Sequence, residues 1–173
     1  IRQQISKGQL ERKPVIGWRK NNIMAKEKNP IERHNFNPHT VFEEILAGKL
    51  PAEFVYRDEL VSAFLDIQPI NEGHVLVVPN EKASCLSELK AQTGERMFRV
   101  AQKISNAILL SSLKSDGINL FLADGKAAGQ TVFHIHLHVF PRYEDDGFGW
   151  KLPENYYAPP SADSLRANCL AIK

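Results

Sequence analysis

Apolar and polar positions alternate most clearly over Phe133-His134-Ile135-His136-Leu137-His138-Val139-Phe140-Pro141-Arg142. A β-strand sends successive side chains to opposite faces. The spacing therefore predicts a strand with Phe133, Ile135, Leu137 and Val139 turned into a core and His134, His136 and His138 in one row on the other side. Shorter runs elsewhere read the same way: Phe54–Arg57 and Leu60–Asp66 as a hairpin turning at Asp58-Glu59, Val75–Val78 as a strand stopped by Pro79, and Ile118–Ala123 as another. The period becomes helical between Gly94 and Leu113, where Met97, Val100, Ile104, Ala107 and Ile108 share a face. Thr40-Val41-Phe42-Glu43 has the form of a capping box opening a short helix, with Phe42, Ile45 and Leu46 on its apolar side and Gly48 at its end. A second short helix is expected from Ser161.

These elements predict an α+β fold: about five strands in hairpin order in an antiparallel sheet, with one long helix in the middle. The expected organisation is an extension over residues 1–39, a domain over 40–150 and a tail over 151–173. Residues 21–38 are polar and Pro-punctuated, which predicts a mobile, partly disordered lead-in. The chain of 173 residues is of one-domain length, and no apolar run in it reaches the roughly 18–20 residues that span a bilayer. Two cysteines, Cys85 and Cys169, with no CxxC pair suggest reduced thiols and a cytoplasmic setting.

The net charge of +2 is unevenly placed. Residues 1–23 hold Arg2, Lys7, Arg12, Lys13, Arg19 and Lys20 against the single acid Glu11, and the remainder is net acidic. Such a leader could contact nucleic acid or anionic lipid, or act as a transit segment. Against this, Met24-Ala25-Lys26 reads as a natural start, which would make residues 1–23 foreign sequence. Neither a nucleic-acid nor a membrane partner is expected. The aromatic, Pro-rich stretch from Phe148 to Pro160 suggests packing against a partner, such as a second subunit.

Three of the six histidines lie in the one row, and three chemistries compete for it. The first is structural, with each ring satisfied by hydrogen bonds. The second is a metal site, since histidines two apart on a strand can chelate, with Asp66 and His74 as further ligands. The third is nucleophilic catalysis at phosphorus. A neutral imidazole is competent near pH 7 if one nitrogen is held as N–H and the other presents its lone pair. The adjacent Ala127-Ala128-Gly129-Gln130-Thr131 offers small residues whose backbone N–H groups could approach an anion, and uncharged donors in Gln130 and Thr131.

The residues His134-Ile135-His136-Leu137-His138-Val139-Phe140 resemble the signature of the HIT (histidine triad) family, His-φ-His-φ-His-φ-φ with φ apolar. Phe64-Leu65-Asp66-Ile67-Gln68-Pro69, then Gly73-His74-Val75-Leu76-Val77-Val78-Pro79, resembles the family's nucleoside-binding segment, and Gly129-Gln130-Thr131-Val132 is also typical. The similarity spans about residues 40–150 and is nearest to the bacterial, Hint-like nucleotide hydrolases. It implies a HIT-like fold, a homodimer, and a hydrolase or transferase acting on the α-phosphate of a purine nucleotide, adenosine first, through a nucleotidyl-histidine intermediate and without a cofactor.

By position, the resemblance makes His136 the nucleophile, has His138 and His134 contact the phosphate, and makes His74 a supporting fourth histidine. Gln130 and Thr131, after Gly129, would sit by the phosphate and leaving group. Asp66 would accept from the ribose hydroxyls, and Val41, Phe42, Ile45, Phe64 and Ile67 would line the base pocket. His138 stands where the transferase branch has Gln, which favours hydrolysis. Some bacterial members carry a zinc-binding CxxC and a later His. Those positions here are Thr40, Glu43 and Lys82, so no metal is expected. An amide common before the Gly-rich segment is replaced by Ala123, which leaves Asp124 to supply any polar contact. Pro141-Arg142 resembles the dinucleoside polyphosphate hydrolases, whereas Phe64-Leu65-Asp66-Ile67 resembles the phosphoramidase branch. A nucleotide-binding regulator with vestigial catalysis is the reading from a different class.

Overall fold

The computed structural model describes residues 40–173; the basic leader and the lead-in expected over residues 1–39 lie outside the described residues. The sheet is built from the β-branched and aromatic runs: β1 (Phe54–Arg57), β2 (Val61–Leu65), β3 (Val75–Pro79), β4 (Gly117–Leu122) and β5 (Leu137–Arg142). Three helices accompany it: α1 (Val41–Leu46), α2 (Ala91–Leu109) and α3 (Ala162–Ile172). The fold is α+β with a five-stranded antiparallel sheet.

The strands do not lie in hairpin order. The sheet runs β1-β2-β3-β5-β4, with every neighbouring pair antiparallel. β3 and β4 are therefore parallel, joined by the α2 crossover, and β5 returns between them. A helix of 19 residues is about 28 Å long, enough to carry the chain back along the sheet before β4 begins.

Alternation along each strand creates two faces. Val61, Ala63, Val75, Val77, Leu137 and Val139 pack with Met97, Val100, Ala101, Ile104 and Ile108 of α2. Ala107, expected on that stripe, is exposed, and Ala101 takes its place. The helix also begins three residues before Gly94 and ends at Leu109. On the opposite face Phe42 and Ile45 of α1 pack with Phe64, Leu76 and Val78. His138 faces Leu76 in the register and so belongs to this α1 side.

The local signals for α1 and the first turn are realised. Glu43 reaches back to the Thr40 N–H at 2.7 Å, and Gly48 adopts φ +74° just beyond the helix. Asp58 closes the β1–β2 turn by accepting from the Leu60 and Val61 N–H groups, and Arg96 of α2 donates to it at 2.6 Å. Residues 40–146 belong to one compact unit and residues 147–173 to another. Within the latter, the Ser161 hydroxyl caps α3 by accepting from Ser164 N–H, and Tyr156 and Tyr157 pack edge to face at 5.2 Å.

The loop from β2 to β3 turns tightly at Gly73, whose φ is +88° and where an added Cβ would stand 2.4 Å from Leu113 Cδ1. Gly73→Ala is expected to destabilise the protein by about 1–2 kcal/mol, mainly through the positive φ, since the Leu113 tip can shift. A fall in the urea midpoint checks this.

Candidate active site

The histidine segment departs from the expected strand. β5 begins only at Leu137, and His134 and His136 lie in an extended lead-in whose Ile135 N–H donates to the Ala83 carbonyl at 2.7 Å. The alternation of faces persists, because Ile135, Leu137 and Val139 still enter the α2-side core. Phe133 is only half-buried. The row itself is not a surface patch: His134 is completely buried, His136 and His74 are nearly so, and His138 is half-buried.

Each ring has a distinct hydrogen-bonding assignment. His136 Nδ1 lies 2.7 Å from the His134 carbonyl. A carbonyl only accepts, so Nδ1 carries the proton and the neutral ring presents its lone pair at Nε2. His134 Nε2 lies 2.9 Å from the Pro79 carbonyl and so donates to it. The His134 ring is completely buried, and Phe42 meets both it and His136 edge to face.

His74 and His138 form a pair, Nε2 to Nδ1 at 2.9 Å. Ile70 N–H donates to His74 Nδ1 at 3.2 Å. In the neutral state His74 is therefore the Nε2–H tautomer, it donates to His138 Nδ1, and His138 keeps its proton on Nε2. The His136 and His138 rings are neighbours, their centroids 4.6 Å apart and their planes inclined at 62°.

Asp66, the residue after β2, lies beside this pair, with Oδ1 accepting from Gln68 N–H at 2.9 Å and Oδ2 3.4 Å from His74 Nδ1. Asp66, His74 and His138 are close enough to be considered as metal ligands. Their ring nitrogens, however, point at one another and at Ile70 N–H rather than converging on one point, the arrangement of a hydrogen-bonded relay.

The Gly-rich segment is closed on itself. Ala128, Gly129 and Gln130 donate their N–H groups to the carbonyls of Gly125, Lys126 and Gly125. The buried Gln130 side chain accepts from Gly125 N–H and donates to the Ser84 and Val132 carbonyls. Gln130 thus braces the turn, in place of the expected donor to an anion. Gly129 takes φ +94° and is exposed, as is Thr131. Asp124 Oδ2 accepts from Leu86 N–H. Of the expected base-pocket residues, Phe42, Ile45 and Phe64 form one buried cluster. Val41 is exposed, and Ile67, 89% exposed, stands on the rim of the loop after β2.

The model of the HIT domain matches residues 47–145. The chain belongs to the HIT family. It is 46% identical over 112 residues to an uncharacterized HIT-like protein of Borreliella burgdorferi, a match covering 64% of this chain and 81% of that protein. It is 34% identical over 103 residues to the purine nucleoside phosphoramidase of Escherichia coli, covering 58% and 84%. A crystal structure of a HIT family protein from Bacillus anthracis superposes with a TM-score of 0.67 at 40% identity, covering 76% of this chain and 93% of that one.

Thr40, Glu43 and Lys82, which the sequence resemblance sets at the positions of a zinc site, do come together. Lys82 Nζ is 3.1 Å from Glu43 Oε2, which also accepts from Thr40 N–H. Burial pushes the Glu43 carboxyl up, but the Thr40 N–H and the Lys82 ammonium outweigh it and hold it below its ordinary value. An ammonium already neutralising the one carboxylate does not fit a divalent cation.

Burial lowers the basicity of all four imidazoles. His138 falls furthest, to about 3, through burial and then the neighbouring His136 and His74. In His136, burial outweighs the opposing His134 carbonyl and Asp66. In His74, burial outweighs Asp66; in His134, it outweighs Pro79 and Glu43. These rings are neutral at pH 7. Between their folded values and the unfolded value of about 6.5, the unfolded chain binds more protons, so stability rises with pH. The urea midpoint is expected to drop as pH falls from 7 to 4.5, and His138→Asn to flatten that slope. An unchanged midpoint across the window would contradict neutral buried rings.

Proposed function

We propose that this HIT protein is a nucleotide hydrolase that cleaves the α-phosphate of purine nucleotides, adenosine substrates first, with phosphoramidate P–N bonds as its characteristic target. The observation that carries the reading is the His136 tautomer, with Nδ1–H tied to the His134 carbonyl and the lone pair at Nε2, in a ring packed against that of His138. The phosphoramidase activity named for the E. coli relative supports the same class.

In this reading His136 Nε2 attacks phosphorus and the bond from phosphorus to the leaving nitrogen breaks. That nitrogen departs with the proton taken up alongside the anionic substrate. Water then attacks the nucleotidyl-histidine, the P–N bond to His136 breaks, and a proton returns to solvent. Covalent catalysis divides one displacement into two easier steps. His138 Nε2–H donates to a phosphoryl oxygen, where charge accumulates in the transition state. Asp66 accepts from the ribose hydroxyls, and Phe42, Ile45 and Phe64 offer an apolar wall to the base, with Val41 and Ile67 at its edges. Thr131 stands by the leaving group.

The runner-up is a dinucleoside polyphosphate hydrolase, favoured by Pro141-Arg142. The Arg142 guanidinium, however, is bidentate to Asp146 and also donates to Asn119, an engagement within the fold rather than toward substrate. Adenosine phosphoramidate is expected to be turned over with the higher kcat/KM; a large preference for diadenosine tetraphosphate would reverse the order. We further propose a homodimer through the exposed Phe98 and Leu109 of α2, Leu110 just beyond it, and the edge strand β4. A monomer by gel filtration would refute it.

His136→Ala is expected to abolish turnover, while His138→Ala and His74→Ala each retain activity reduced by about 10²-fold. Mass spectrometry of enzyme quenched during turnover should find the nucleotidyl adduct on His136. Equal loss in all three variants, with no adduct, would overturn the assignment. Activity abolished by chelator and restored by zinc would place the chemistry in a metal hydrolase instead.

A further inference from the structure

The His74 tautomer, and through it that of His138, depends on one backbone donor, Ile70 N–H. That donor sits in a loop with an unusually complete anchor. Asn71 Nδ2 gives one hydrogen to the Pro141 carbonyl at 2.8 Å and the other to Asp146 Oδ2 at 2.9 Å. Asp146 is in turn held by Arg142 through two parallel hydrogen bonds of 2.6 and 2.7 Å. Its side chain is 5% exposed, so the carboxylate is well shielded from water. The Asn71 carbonyl accepts from His74 N–H at 3.1 Å, which closes the turn that carries Ile70. The far end of β5, beyond the histidines, is thereby tied to the loop that addresses them.

A competing partner for His74 Nδ1 is already in place. Asp66 Oδ2 lies 3.4 Å from it, whereas the Ile70 N–H contact is 3.2 Å, long for a hydrogen bond. If Ile70 N–H moves away, His74 can place its proton on Nδ1 and donate to Asp66. His74 Nε2 then becomes an acceptor, His138 must put its proton on Nδ1 to keep the 2.9 Å bond, and His138 Nε2 loses its hydrogen. The two ring pairings are equally bonded internally, but only one offers an N–H toward a phosphoryl oxygen. The other turns a lone pair toward it and also engages Asp66.

We propose that Asn71, clamped by the Asp146–Arg142 pair, is a positioning residue that selects the Nε2–H tautomers of His74 and His138 and so keeps the donor on the substrate side. This inference rests on the reading of His136 and His138 as the reacting pair. Asn71 itself touches neither histidine ring in the relay; it acts through Ile70 N–H.

The test is long-range proton–nitrogen NMR of the uniformly ¹⁵N-labelled full chain at neutral pH, comparing wild type with Asn71→Ala and Asp146→Asn. In the wild type both His74 and His138 should carry the proton on Nε2, and His136 on Nδ1. In both variants His74 and His138 should shift together toward Nδ1–H while His136 is unchanged, and kcat for an adenosine phosphoramidate should fall about tenfold with KM changing less than threefold, a fraction of the about 10²–10⁴-fold that a placed proton donor contributes. Wild-type His74 protonated on Nδ1 would overturn the proposal outright, whether or not the variants fold. Variants that lose stability but keep wild-type tautomers in the folded fraction would also overturn it, reducing the clamp to a structural brace. Tautomers as expected with no adduct on His136 would sink the hydrolase reading while leaving the tautomer selection standing.

Discussion

The hydrogen bond from His136 Nδ1–H to the His134 carbonyl binds a side chain to the backbone two residues before it, and much of the local architecture follows from that bond. The His134 carbonyl faces this imidazole. Ile135 N–H likewise turns away, to Ala83. The chain enters the sheet only at Leu137, although its side chains already alternate as a strand's do. The lead-in places His136 nearly buried against Phe42 with its orientation and tautomer both fixed. A nucleophilic imidazole needs those two properties, and free rotation about its side-chain bonds would supply neither.

Burial then decides the charge. A ring removed from water loses the hydration that stabilises its cation, and four such rings packed together penalise one another's protonation further. The result is a cluster neutral near pH 7, in which each proton occupies a nitrogen dictated by a neighbour: the His134 carbonyl for His136, the Pro79 carbonyl for His134, and Ile70 N–H for His74 and hence His138. The named partners are mostly backbone groups of the sheet and its loops. Site and fold are therefore not separable, because the hydrogen-bonding groups that would otherwise solvate themselves at strand ends define the tautomers.

The faces of this molecule were legible from local pattern, and its long-range pairings were not. Period-two alternation assigned Ile135, Leu137 and Val139 to the core and the histidines to the other side, and Thr40, Glu43 and Gly48 marked both ends of α1, because each of these depends on residues a few positions apart. Nothing local says that β5 inserts between β3 and β4 rather than beside β4 alone; that choice is made by what α2 buries. Burial of the triad was equally hidden, since histidine is at home inside and outside. The engagement of Gln130 is hidden for a related reason. Beside glycine and threonine it resembles a donor awaiting an anion, yet its amide is fully engaged within its own turn. Asn71 carries no signal beyond being a turn former, and its importance depends on Asp146, 75 positions away.

A site made of neutral donors and acceptors has a particular relation to an anion. Phe42, Phe64 and the histidines around His136 bring no positive charge, and the Lys82 ammonium is already matched by Glu43. On the proposed function, a phosphoryl group entering this site would meet neutral rings rather than a cation among these described residues. It instead favours protonation of the rings it meets, raising basicities that burial had lowered. Binding and proton uptake are thereby linked, and the proton arrives together with the group whose departure requires one. A permanently charged lysine or arginine in the same place would bind phosphate more tightly before reaction but would hold the product monophosphate as well, stabilising ground states as much as the transition state.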